Sequence, residues 1–152
     1  MATHEEVMAR INLYGVLRSI QELVAQDAAS RELVKDQRVT LEFVVRGRFR
    51  GALRFHDGDC EFIDGRANQV DIRLFFTSPA HLNRMMDGKA NPIPLKGLFK
   101  IGFLTGAFMK LTDRLTHFLR PTDGALDDPQ FFAINTRLTA FVAFHSLSEV
   151  GN

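Results

Sequence analysis

The stretch in which chemically capable groups crowd together is His56-Asp57-Gly58-Asp59-Cys60, which sets an imidazole, two carboxylates and a thiol within five residues. Such a set could supply a general base and a nucleophile, or ligands for a metal ion. Two features of the spacing speak against that use. Asp57-Gly58 is the dipeptide a tight hairpin turn needs sterically, and consecutive residues of a strand project to opposite faces. The remaining histidines, His4, His81, His117 and His145, are scattered singly with no H-x-x-x-H spacing. His81 reads as a first-turn residue of a short helix and His145 as a core-edge or interface residue. Gly97, Gly102 and Gly106 form neither G-x-G-x-x-G nor a P-loop. The expectation is a protein without catalytic residues, cofactor or metal.

A second polar feature is the basic run Arg46, Arg48, Arg50 and Arg54, whose alternation places most of these side chains on the outer face of a sheet. A solvated face that guards the sheet is the simpler reading; contact with anionic lipid headgroups or an acidic partner protein is the functional one. The net charge of +1 gives no global attraction to nucleic acid. Aromatics are lopsided, with 14 Phe, one Tyr and no Trp, so they add apolar area without a polar handle and suit a dry interior or an apolar pocket. A single cysteine excludes an intrachain disulfide. No apolar run is long enough to span a bilayer and no signal pattern opens the chain, which makes a soluble cytoplasmic protein the expectation.

The elements that carry these residues follow from periodicity. Thr3 and Glu6 have capping-box spacing, and Leu13, Val16, Leu17, Ile20, Leu23 and Val24 recur at helical spacing, predicting a helix over 5–26. After a polar connection, Val39, Leu41, Phe43 and Val45 alternate with more polar neighbours, as do Phe49, Gly51, Leu53 and Phe55, so a hairpin turns at Arg46-Gly47-Arg48. Asp57-Gly58 leads to a third strand over 60–63, and Val70, Ile72, Leu74 and Phe76 mark a fourth. Ser78-Pro79 predicts a short helix to about residue 87, closed by Gly88. Asn91-Pro92-Ile93-Pro94 reads as a stiff linker, 97–101 as a fifth strand, and Phe108, Leu111, Leu115, Phe118 and Leu119 as one side of a helix that stops before Pro121. Pro129 opens a last helix bearing Phe131, Ile134, Leu138, Phe141, Val142 and His145, with Phe132 and Phe144 widening its apolar arc.

This order of elements resembles that of sterol carrier protein 2-type lipid-transfer domains. The resemblance reaches individual residues: Gly88-Lys89-Ala90-Asn91-Pro92 matches the family's G-K-x-[ND]-P, while Gly97-Leu98-Phe99-Lys100-Ile101 and Met109-Lys110-Leu111 fall where the family has a G-K-L-K-I-like strand and an M-K-L helix. It covers about residues 39–115. The chain departs from the pattern in a shorter linker between Pro92 and Gly97, and in Gly102-Phe103-Leu104 where Lys-Gly-Asp is usual, which suggests an apolar lip for ligand entry, membrane contact or a subunit interface.

The resemblance implies an α+β fold, with a five-stranded, largely antiparallel sheet, helices covering one face, and an apolar cavity between them. It implies one lipid-binding domain over 1–152, with an N-terminal helical segment 1–38, a core 39–120 and a C-terminal lid or interface helix 121–152. The implied ligand is a fatty-acyl, sterol-like or isoprenoid-quinone chain. Its pocket would be lined by Phe43, Val45, Leu53, Phe55, Phe62, Ile72, Leu74 and Phe76 from the sheet, and by Met85, Phe99, Ile101, Phe103, Phe108, Met109, Leu111, Leu115, Leu138 and Phe141 from the elements above it. Flexible methionines there would adapt to a variable chain. The competing expectation is an interaction or scaffold domain that forms a homodimer, or docks on a partner enzyme, through its C-terminal helix.

Overall fold

The computed structural model describes residues 2–97 and 100–119. Its first helix, α1 (His4–Gln26), starts where Thr3 accepts the Glu6 amide on its hydroxyl at 3.2 Å, with Glu5 and Glu6 in the first turn, where the helix dipole favours negative charge. Leu13, Leu17, Ile20 and Val24 form its buried stripe. Asp27 ends α1 and caps the next helix, α2 (Ala28–Leu33), by accepting the Ser30 amide at 3.1 Å. From sequence this stretch reads only as a polar connection. An Asx cap with so short an apolar side gives no periodicity to detect.

Five strands follow: β1 (Arg38–Val45), β2 (Phe49–His56), β3 (Asp59–Asp64), β4 (Ile72–Phe76) and β5 (Ile93–Lys96), in the spatial order β3-β2-β1-β4-β5. All neighbours pair antiparallel except β1 and β4, which run parallel from Leu41↔Ile72 to Val45↔Phe76. The sheet is therefore mostly antiparallel, as expected, with one parallel pair at its centre. That pair requires a crossover, which residues 65–71 make over the outer face of β2 and β1: the Gly65 amide donates to Arg50 O at 3.1 Å, Arg54 to Asn68 O at 2.6 Å, and the Asp71 amide to Thr40 O at 3.0 Å. Ala67 and Val70 from this loop pack on Ala52 in a small second core.

The crossover also buries Glu42, a residue that alternation assigns to the polar face. Its carboxylate accepts from Arg73 Nε at 2.6 Å and from the Ala67 amide at 3.4 Å, with Arg50 Nη1 at 3.8 Å. A fully buried carboxylate is tolerable only with such partners.

Helix α3 (Pro79–Met86) begins as Ser78-Pro79 predicts, with Ser78 Oγ accepting the His81 amide at 3.1 Å. Its end explains the G-K-A-N-P residues. Gly88 takes φ +74°, its amide donates to Met85 O at 3.0 Å and that of Lys89 to Arg84 O at 2.8 Å, the two bonds of a Schellman-type stop. His81 then ties this turn down: its Nδ1 accepts the Thr77 amide at 3.0 Å, which leaves Nε2 to donate to Asn91 O at 2.7 Å.

The fifth strand lies earlier than predicted. It is the proline-bearing segment Ile93–Lys96, whereas Lys100 stands in a 3₁₀ turn and Ile101 opens a helix. Proline lacks a ladder donor, but β5 is an edge strand and needs donors on one side only. Gly97, φ +96°, then turns the chain so tightly over β4 that a Cβ there would lie 2.3 Å from Asp71 O.

Candidate functional site

After Gly97 the chain rises over the inner face of the sheet as α4 (Ile101–Phe103), a π-turn (Leu104–Phe108) and α5 (Met109–Leu119). The π-turn adds a residue to one turn of the helix, so Phe103 and Phe108, five apart, fall on the same side, with Leu111 and Leu115 continuing it. Their ring centroids are 6.0 Å apart. Beneath them Phe55 meets Phe103 edge-on at 5.1 Å and Phe108 at 6.5 Å, while Phe43 meets Phe108 at 6.5 Å and stacks on Phe76 at 6.4 Å. Five phenylalanine rings from three strands and one helix thus fill one continuous apolar layer.

Most of the predicted lining is brought together here. Phe43, Val45, Leu53, Phe55, Ile72, Leu74, Phe76, Phe103, Leu111 and Leu115 are buried in one cluster, with Phe62, Met85 and Phe108 packed against it. Met109 is not: it is exposed, because two residues before inward Leu111 it falls on the opposite side of α5. Phe118, on the predicted apolar side of this helix, is exposed near the end of α5, with the Arg114 guanidinium 5.6 Å from its ring centroid. The expected lip at Phe103 and Leu104 is turned inward, Phe103 being buried and Leu104 partly so. Ile101 is placed by its backbone at the start of α4, and Phe99, Leu138 and Phe141 lie outside the described residues.

A hollow of about 270 Å³ opens beside this layer, lined by Gln37, Arg38, Val39, Lys100, Gly102 and Phe103. Sequence reasoning did not single out Gln37 or Arg38 and met Lys100 only within the family-like 97–101 match, since nothing in their spacing marks a rim. The rim is held by Asp71, which accepts the Thr40 amide at 2.8 Å on one oxygen and Lys100 Nζ at 2.9 Å on the other. Burial alone would raise the Asp71 carboxyl; the Thr40 amide and the Lys100 ammonium hold it below the usual carboxylate range. On the far side, Asp27 receives Arg114 of α5 in a two-pronged pair at 2.7 and 3.1 Å, which fixes the helix over the layer and lowers the Asp27 carboxyl.

Cys60 is parted in space from the rest of the His56 to Cys60 cluster, in which His56 Nε2 lies 3.5 Å from Asp57 Oδ2. Phe55 pairs with Cys60 and turns inward, while His56 pairs with Asp59 on the opposite face. Asp57 is held by Arg38 at 2.7 Å. Burial, reinforced by the Glu61 charge, pushes the Cys60 thiol up to about 12, far from a ready nucleophile at neutral pH. No group of three or more His, Cys, Asp or Glu able to hold a metal occurs among the described residues. No helix there is long and apolar enough to cross a membrane.

No protein-family model matches the chain, and no curated protein matches it by sequence. Among solved structures, it is similar to the crystal structure of sterol carrier protein 2, at 17% identity over 72% of this chain and 90% of that one, with a TM-score of 0.45. It is similar as well to the solution structure of a conserved protein from Thermus thermophilus described as a candidate sterol carrier protein, at 13% identity over 94% of this chain and 89% of that one, with a TM-score of 0.45.

Proposed function

We propose that the protein binds a single long apolar chain, fatty-acyl, sterol-like or isoprenoid, between the inner face of the sheet and the α4–α5 helix, and carries it without reacting with it. The observation that carries this reading is the five-ring layer under a π-turn, of which one ring, Phe103, also lines the adjoining hollow. A π-turn gives up regular helical bonding locally, and a Cβ added at Gly102 or Gly106, on either side of Leu104, would meet no neighbouring atom within 4 Å. This helix segment is therefore the wall best able to shift, letting Phe103 and Phe108 swing from Phe55 to make room. The Gly97 bend, part of the family resemblance, holds the entry to that wall, and the Asp27–Arg114 pair holds α5.

Burial of the chain drives such binding at ~0.8 kcal/mol per methylene, so affinity should rise roughly fourfold for each one added until the layer is full. Titrating delipidated protein with a series of saturated fatty acids checks this. A rise with length that then levels off is expected, whereas an affinity indifferent to length would remove the reading.

A further inference from the structure

The outer face of the sheet carries a second surface, independent of the apolar layer. Strand register sets Arg50, Val44, Phe75 and Ile93 side by side across β2, β1, β4 and β5. Leu74 and Phe76 turn inward, so Phe75 and its cross-strand neighbours turn outward. The 65–71 crossover covers the other end of this face, over Ala52 and Glu42, and leaves the row open. Val44 and Phe75 are partly exposed, Ile93 is 41% exposed, and Leu95, which has no partner residue on β4, is 57% exposed.

Cations frame this strip. Arg46 and Arg48 stand exposed in the turn after β1, Arg50 belongs to the row itself, and Arg73 pairs with Lys96 in the adjacent row. The carboxylate among them, Glu42, is fully buried against Arg73 and Arg50. Arg46 and Arg48 make no ion pair among the described residues. Five cations thus surround an apolar strip that presents no acid of its own.

We propose that this face docks on the surface of an anionic phospholipid bilayer. Ile93, Leu95 and Phe75 would enter the headgroup–acyl boundary, while the long arginine and lysine side chains reach past them to the phosphates. Single-stranded nucleic acid, the other polyanion, calls for aromatic platforms, and here Phe75 stands between two aliphatic residues.

Co-sedimentation of the full chain with vesicles of phosphatidylcholine, with and without phosphatidylserine, tests the proposal. Binding to the phosphatidylserine vesicles, weakened by salt, is expected. Arg46→Gln/Arg48→Gln should lower that partitioning about fivefold per charge, or roughly thirtyfold together. Ile93→Ser/Leu95→Ser, at two exposed positions, should lower it at least about tenfold with the circular-dichroism spectrum unchanged. Wild-type protein left in the supernatant with both vesicle types overturns the proposal, as does undiminished binding by both variants. Capture of an acidic protein, lost in these variants and without vesicle binding, overturns it too. The readout does not depend on lipid uptake by the inner layer, so the two readings fail separately.

Discussion

Phe55→Ala is expected to destabilise the fold by about 3–5 kcal/mol, the range for deleting a fully buried phenylalanine. Phe55 is 1% exposed and supports Phe103 and Phe108 at once, so its removal leaves a void beneath the wall proposed to move. For a domain whose whole stability is of order 5–15 kcal/mol, that is a large share. The void makes the variant informative about function as well. A long-chain ligand that enters the layer fills the space the ring vacates, so saturating fatty acid should return more stability to the variant than to the wild type. At a hundredfold excess over the dissociation constant the gain for a single site is about 2.7 kcal/mol. Urea titrations of both proteins, with and without ligand, measure all four stabilities. Equal ligand gains in both would place the ligand away from Phe55.

The second large effect belongs to Gly97→Ala. A methyl group there would lie 2.3 Å from Asp71 O and 2.9 Å from Ile72 Cα, both backbone atoms of the segment entering β4. β4 is hydrogen-bonded on both sides, so the strand cannot retreat and the turn must. Moving the turn would undo the pairing of Lys96 with Arg73 and strain the Lys100–Asp71 bridge that holds the helix entry. The cost should exceed about 3 kcal/mol, the upper end of ordinary overpacking, because the clash is with backbone and a side chain at φ +96° adds its own strain. Gly47→Ala is the matched control. Gly47 also has positive φ, +62°, but nothing lies within 4 Å of its added methyl, so only the conformational penalty of about 1–2 kcal/mol applies. Equal losses in the two variants would show that the close approach at Gly97 carries no weight.

The elements that position the site were legible where one local rule sufficed. Period-two alternation located β1 and β2, Asp57-Gly58 located the turn between β2 and β3, and Ser78-Pro79 located the start of α3. The inward residues of β1, β2 and β4 followed from alternation alone, which is why Phe43, Phe55 and Phe76 could be named as neighbours from the chain.

What was hidden depends on partners distant in sequence. Pro94 could be accepted as a strand residue only once β5 was known to be an edge. Glu42 is buried because a crossover passes over it, and the crossover exists because β1 and β4 run parallel, a pairing no local pattern signals. The π-turn left the most consequential gap. The resemblance put Met109 in the wall, where the regular spacing of α5 turns it to solvent, and no local pattern signals the π-turn that brings Phe103 and Phe108, five apart, to one side.

Ring resonances of protein carrying isotope-labelled phenylalanine, followed while a long-chain fatty acid is added, test the interlayer site most directly. The proposed site predicts that Phe43, Phe55, Phe76, Phe103 and Phe108 shift together and acquire contacts to the acyl methylenes, while exposed Phe118 and the outer-face Phe75 stay where they are. Shifts confined to Phe118 or Phe75, with the five inner rings unmoved, would place the lipid on the surface and contradict it.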